Sequence, residues 1–433
     1  MTDPAFAPPG ALSKGPSPAF RQGFLGWLRA NLFFSTTSSI VTLIVLAALV
    51  WVAGFLVEWA VVPTWGAQSL SECRDLLHEL GRQGEYSGAC WGVIRDRWMQ
   101  LLFGFYPRSE LWRPILAFVL LVPALAPVLF AEAVPRRLKW ATVLYPFVMP
   151  WLLWGGPLWR PLGVLAGFGV GYLVYHVTGR SSALLRIGAS IGLALLWWGL
   201  VAPPLAAISS AILPIELVPV PSRSFGGFLL SVTIGIVAIA FSLPLGILLA
   251  LGRRSELLFI RSLCIGLIEL IRGVPLITLL FVASTLLNIF LPPGTEFDII
   301  MRVIIMATVF ASAYMAEVIR GGLAAIPKGR YEGADSLGLK YWQVQRLVIM
   351  PQALKVSIPG IVSTFIALFK DTTLVSIIGL LDPLGLTVSI RANPEWTGVV
   401  WELYGFVALI FWIFTFSMSR YSIYLERKLR HGR

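Results

Sequence analysis

The sequence predicts an all-α polytopic membrane protein, and three observations carry that prediction. Of its 433 residues, 57% are hydrophobic and only 13% charged, against roughly 25% charge in soluble domains, and the mean hydropathy is +0.80. The apolar residues gather in long uncharged runs of bilayer-spanning length. Those runs are apolar all round rather than alternating, so the spans are helices and not the strands of an outer-membrane barrel. A net charge of +12 would suggest nucleic acid in a soluble protein. Here the bases fall in loops, as membrane topology requires, and no nucleic-acid partner is expected.

Residues 1–39 are polar and rich in Pro, Ser and Gly. The first span, 40–62, begins too far from Met1 and runs too long for a signal peptide, so it is expected to stay as an anchor. A polar loop, 63–113, follows with six bases and six acids. Spans come next at 114–134, 141–159, 162–177 and 187–206. The middle two are short and share the turn Trp159-Arg160-Pro161, which predicts a hairpin, with Trp140, Trp151, Trp154 and Trp159 at the interfacial belts. Residues 206–225 hold Pro214, Pro219 and Pro221 and read as a linker between an extension, 1–205, and a second half, 226–433. That half carries spans at 226–251, 263–291, 300–320, 356–380 and 400–420, with a polar, helix-forming island at 323–352 between its third and fourth. No internal sequence repeat stands out.

Lys and Arg orient the chain. With the N-terminus in the cytoplasm, the inner segments hold 22 of them and the short outer loops three, Arg160, Arg223 and Arg391. Both termini and the island 323–352 are then cytoplasmic, while the loop 63–113 and the linker face out.

Within the island, Glu332, Ala334, Gly338 and Pro351 match the pattern E-A-A, three residues, G, nine residues, I-x-L-P, with Gly333 in place of the second-position Ala and Val348 and Met350 as conservative replacements. This spacing resembles the EAA loop of the transmembrane subunits of ABC importers. The resemblance implies that a short helix here, with Glu332, Gly333, Ala334, Asp335, Gly338 and Pro351, fits a groove on a separate ATPase subunit. Small residues at 333 and 334 let a helix lie close against a partner. Gly338 is expected to close that helix in a left-handed turn, and Pro351 to set where the next helix begins. The bland alternative is an ordinary amphipathic loop helix.

Leu243–Gly252, Glu269–Leu276, Glu317–Gly322 with Ile326–Gly329, and Lys370–Gly379 are similar to segments of permeases for polar amino acids. Arg330 stands where that group usually has Gln, and Thr373 where it has Ser. The long extension, with Cys73, Gly88-Ala89-Cys90-Trp91 and Phe103-Gly104-Phe105-Tyr106-Pro107 in its outer loop, resembles the larger permease subunit of broad-specificity L-amino acid importers of Gram-negative bacteria. The resemblance implies a type I ABC importer transmembrane domain, a MetI-like five-helix core over 226–433, preceded by about five further transmembrane helices. It implies a multi-pass permease of the bacterial inner membrane that moves L-amino acids from periplasm to cytoplasm. The partners it implies are two ATPase copies, a second related permease, a periplasmic amino-acid-binding protein and membrane lipid. ATP and Mg²⁺ would sit on the ATPase, with no cofactor on this chain. Consistently, there is no G-x-x-x-x-G-K-[ST] and no Gly-Lys dipeptide. His78, His176 and His431 lie far apart and suggest no metal cluster. No nucleophile–base–orienter set suggests an enzyme.

Charges within the spans leave alternatives open. Lys370 and Asp371 lie about twelve residues into a span starting near Pro359, close to the bilayer centre, where each costs at least about 2.5 kcal/mol unless paired or wetted. They either face a substrate pathway, with Thr372 and Ser376 sharing a face four residues apart, or pair with Arg302 or the partner permease. Glu269 and Arg272 precede Gly273 and Pro275, where the helix should break. They either hold a substrate there or form an interfacial ion pair that fixes the kink. Glu317 and Arg320 read as a gate or brace. Cys73 and Cys90 form a disulfide in an oxidising periplasm or remain free thiols, and Cys264 reads as a small apolar filler. The runner-up function is an ion- or proton-coupled secondary transporter using Asp371 or Glu269.

Overall fold

The computed structural model describes residues 23–82, 84, 87–290 and 297–430. His431 and the N-terminal stretch 1–22 lie outside them. The chain divides into two compact units, Met1–Gly92 and Val93–Arg433.

In the first unit, α1 (Phe24–Asn31) precedes α2 (Thr36–Ala60), which Ser35 caps by accepting from the Ser38 amide at 3.1 Å. Twenty-five residues give α2 about 37 Å, enough to cross a bilayer. It buries none of its side chains, as a span sheathed in lipid would. Beyond it, α3 (Leu70–Glu79) closes a small knob. Cys73 and Cys90 are disulfide-bonded across 17 residues, with their Cα atoms 5.9 Å apart. Val62, Ala67 and Leu77 are buried around them. The Trp91 indole donates to the Ala60 carbonyl at 2.7 Å, and its ring stacks on Trp65. The Thr64 hydroxyl donates to the Ala89 carbonyl at 2.6 Å.

The second unit opens with α4 (Gly92–Phe103), α5 (Trp112–Leu129), α6 (Lys139–Trp154) and α7 (Trp159–Val177). Then α8 (Ala183–Leu196) runs through a π turn at Trp197–Val201 into α9 (Ala202–Ile212). A two-residue antiparallel ladder joins β1 (Gly156–Pro157) to β2 (Glu216–Leu217). The remaining helices are α10 (Gly227–Arg253), α11 (Leu258–Gly273), α12 (Leu276–Phe290), α13 (Ile299–Ala324), α14 (Lys328–Ser336), α15 (Tyr341–Gln343), α16 (Met350–Asp371), α17 (Pro383–Arg391) and α18 (Trp401–Arg430). The bundle centres on α10, α13 and α16. Leu229, Leu230, Ile234, Ile300 and Val303 are buried toward one end, and Met315, Ile319, Ile349 and Ala353 toward the other.

Among the described residues, seven helical rods are long and apolar enough to cross a membrane, or eight if the bent pair α11–α12 counts as one. Four of the ten segments expected to span differ in kind. The hairpin of α6 and α7 forms, but α6 is only 16 residues long and α7 carries Arg160 and His176 in its 19. Residues 263–291 are not one straight rod: α11 and α12 meet at 101°. Pro275 has no amide hydrogen and forces Val274 into an extended conformation, φ −113° and ψ 131°. The span placed at 356–380 begins far earlier. A π turn at Val344–Ile349 carries the helix from Tyr341 into α16, with Pro359 inside it. Lys370 and Asp371 therefore stand at the C-terminal end of α16, about 30 Å from Met350, not halfway along a span.

Between α16 and α18 the chain turns at Asp382, a fully buried carboxylate that caps α17 by accepting from the Leu384 and Gly385 amides at 3.0 and 2.9 Å. Burial outweighs those donors and pushes its pKa up from 3.8 to about 6. The folded protein thus binds this proton more tightly than the unfolded chain does. Its contribution to stability is fully present below pH 3.8 and is lost as the pH rises through 6. Asp382→Asn keeps a capping oxygen, so melting curves in nanodiscs should show wild type losing stability between pH 4 and about 6 relative to the variant. Parallel pH dependences for the two proteins would refute this.

Candidate functional site

Three segments far apart in sequence meet beside α14. The last turn of α10 presents Arg253, α11 presents Glu269 and Arg272 one turn apart, and α13 presents Glu317 and Arg320 one turn apart. Arg253 donates through Nη1 to Oε1 of both Glu317 and Glu269, the latter at 3.1 Å. Arg320 Nε reaches Glu317 Oε2 at 2.9 Å. Arg272 is looser, 3.9 Å from each of the two glutamates, with its guanidinium over the Tyr314 ring. Glu317 is the hub, with its side chain only 17% exposed. A carboxylate this sheltered needs paired charge around it. Glu269 and Arg272 thus belong to a network rather than to an isolated pair, and Glu317 and Arg320 brace the same network. Sequence reasoning misses Arg253. It follows directly on Leu243–Gly252, but its partners lie 16 and 64 residues away, beyond any local spacing rule.

The residue that caps α10 turns to α14: Arg254 donates to the Tyr331 hydroxyl at 3.2 Å. One helix end therefore holds both the ion network and the short helix. Gly338 takes φ +70°, and its amide donates to Asp335 O at 2.9 Å, closing α14 in the left-handed turn that glycine adopts without strain. Glu332, Gly333 and Asp335 are exposed. Ala334 is not: it is buried with Leu323, Ile326, Val344 and Ile349. Of the two small residues expected to face a partner, Gly333 is exposed and Ala334 is not, because packing turns the Tyr331–Ala334 side of α14 inward. Pro351 sits in the first turn of α16, directly after the π turn, so it does not start a new rod. Sequence reasoning also passes over an exposed apolar rim. Leu337, Tyr341 and Trp342 are 77%, 53% and 66% exposed. Their signal is the presence of large apolar side chains inside a polar island.

The remaining candidates lie at the opposite end of the bundle. Asp371 lines a small cavity with Ile234, Leu276 and Val303, about 10 Å³ in volume, room for one water. The Thr372 hydroxyl is turned to the Phe369 carbonyl at 2.7 Å and that of Ser376 to the Thr373 carbonyl at 3.1 Å. Thr372–Ile378 is a 3₁₀ turn, in which residues three apart eclipse, so positions four apart do not share a face. Arg302 does not serve Asp371. It donates to the carbonyls of Phe297 at 2.8 Å and Ser284 at 3.2 Å. The six residues assigned to a pathway thus separate into two groups, one at each end of α10.

Residues 242–431 match the family described as the binding-protein-dependent transport system inner membrane component. The chain is 54% identical over 433 residues to the glutamate/glutamine/aspartate/asparagine transport system permease protein BztC of Rhodobacter capsulatus, covering 99% of each chain. It is 38% identical to the inner membrane amino-acid ABC transporter permease protein YhdY of Escherichia coli, covering 98% of each. A solved structure described as an amino acid ABC transporter with histidines is 29% identical, over 46% of this chain and 90% of that one, at a TM-score of 0.41. The chain belongs to the family of amino-acid ABC transporter permeases.

Proposed function

We propose that this permease takes the force of a separate ATPase through α14 and relays it into the ion network at the end of α10. The exposed face of α14, tied by Tyr331 to Arg254, is the observation that carries the reading. Two ATPase copies, holding ATP and Mg²⁺, grip this chain and a second related permease, and a periplasmic binding protein delivers the amino acid. The excess of Lys and Arg in the segments on that side supports a cytoplasmic α14 and cytoplasmic termini. The relatives' names point to polar amino acids, acidic ones and their amides, as cargo. Lys370 and Asp371, at the outer end of α16 in this orientation, bring opposite charges to where the carboxylate and ammonium of a zwitterion would pass.

In this mechanism α14 moves with the ATPase and carries the α10 end with it. Arg253 then shifts against Glu269 and Glu317, so α10, α11 and α13 respond together. Hydrogen bonds to charged groups contribute about 1.5–3 kcal/mol each, reduced here because Arg253 is a quarter exposed. Arg253→Gln should therefore uncouple the complex. Amino-acid uptake in proteoliposomes is expected to fall about tenfold, one such interaction's worth, while ATP hydrolysis persists. Equal uptake by variant and wild type would remove the network from the relay.

The whole reading is tested by purifying the tagged chain from its membrane. The ATPase and a second permease should come with it, and the reconstituted complex should take up amino acid only with ATP inside and loaded binding protein outside. The reading fails if this chain alone concentrates amino acid on a sodium or pH gradient.

A further inference from the structure

The helices before residue 226 have no role in the relay, yet within Val93–Arg433 they are bound to the core by contacts of a particular kind. At the outer end, opposite α14, α4 lies against the segment between α17 and α18. The fully buried Trp396 donates its indole N–H to Asp96 Oδ2 at 3.0 Å. Arg97 joins the same carboxylate at 2.8 Å to Glu395 at 3.2 Å. Past the end of α4, three backbones are stacked. Gly104 bridges to Phe225, Gly226 bridges to Leu381, and the Gly227 amide donates to Leu381 O at 2.8 Å. A Cβ on Gly104 would stand 2.4 Å from the Gly226 Cα, so no other residue permits this approach. Next, Trp154 of α6 donates to the Ser222 hydroxyl at 2.6 Å, and that hydroxyl donates to Asp298, the cap of α13.

Backbone pairing, a buried indole and glycine-to-glycine contact have no neighbouring register to slip into. The inner network differs: it is made of partly exposed arginines and glutamates that can exchange partners.

We propose that residues 93–225 are a strap. It fixes the outer ends of α10 and α13 and the segment 372–399 as one body through the whole transport cycle, so that movement is confined to the end bearing α11 and α14. This goes beyond the importer reading and rests on it only for the transport assay.

The test uses the assembled complex with Cys264 replaced by alanine, and Arg97→Cys with Glu395→Cys joined by a short bis-methanethiosulfonate. Crosslinking should proceed equally in the resting and the vanadate-trapped states, and the linked complex should transport like the unlinked one. Loss of transport on linking, restored by reductant, would show that α4 and this segment must part, and would overturn the proposal. So would failure to link in either state, since it would show that the two positions do not meet. Crosslinking is read on gels and depends on no energy source, so its failure is distinct from failure of the importer reading. As a second measurement, Gly104→Ala, strained at φ +69°, should lower transport about tenfold while the ATPase still co-purifies. Unchanged transport in that variant would also count against a strap.

Discussion

Arg113→Met should cost the protein about 3–5 kcal/mol, the penalty of breaking a buried charge constellation, and should empty the membrane of folded protein. Arg113 is fully buried at the start of α5. Its Nε donates to the Leu152 carbonyl at 2.6 Å, Nη1 to the Val218 carbonyl at 2.7 Å, and Nη2 approaches the Leu153 carbonyl at 3.5 Å. Glu110 lies 3.4 Å from Nη1. Leu152 and Leu153 belong to the last turn of α6, where carbonyls lack partners within the helix and the dipole favours a cation. The Tyr106 hydroxyl donates to the Leu153 carbonyl at 2.8 Å. Burial pushes its pKa up to about 12, so it remains a donor at any physiological pH. One guanidinium thus holds α5, α6 and the linker strand together. Removing it strands the Leu152 and Val218 carbonyls and the Glu110 carboxylate and leaves the Leu153 carbonyl to Tyr106 alone, and an unmet buried acceptor is more expensive than the lost bond. Arg113→Lys keeps the charge but not the fork of donors and should recover only part of the loss. Arg160→Met, at an exposed position, serves as the control. Equal membrane abundance and melting temperature for the Arg113 and Arg160 variants would defeat the argument.

What the sequence disclosed and withheld follows from the range of each interaction. Glu332 to Pro351 is a local pattern, so α14 and the φ +70° turn at Gly338 were legible. Pro275 announced the break between α11 and α12, because a missing amide hydrogen acts within one turn. The angle of 101° is set by packing and leaves no mark in the spacing. Pro351 and Pro359 each resemble a helix start, and the π turn that admits Pro351 into a continuous rod has no composition of its own. Arg253, Glu269 and Glu317 form one network from three helices, and Arg113 finds Val218 across 105 residues. Pairings of that kind become visible only once the chain is folded. The inward turn of Ala334 is a matter of helix rotation, decided by the neighbours of α14 rather than by α14.

Trp342→Ala should release the ATPase while leaving the permease intact. The ring is 66% exposed and packs edge-to-face with Tyr341, itself 53% exposed, at 5.4 Å, so its loss should scarcely affect folding. Leu337, 77% exposed, extends the same apolar rim next to Glu332 and Gly333. Large aromatic side chains are the usual anchors of protein interfaces, and truncating one costs about 2 kcal/mol or more, roughly a thirtyfold loss of affinity. A contrast separates docking from folding. Ala334 lies on the same loop but faces inward, so Ala334→Leu overfills the core at about 1–3 kcal/mol and should lower the melting temperature along with ATPase binding. Trp342→Ala should lower binding alone. Titrating purified ATPase onto each permease variant in nanodiscs, with melting curves beside it, reads both quantities. If Trp342→Ala binds the ATPase as wild type does, the rim faces lipid, and α14 must be gripped through Glu332, Gly333 and Asp335 without it.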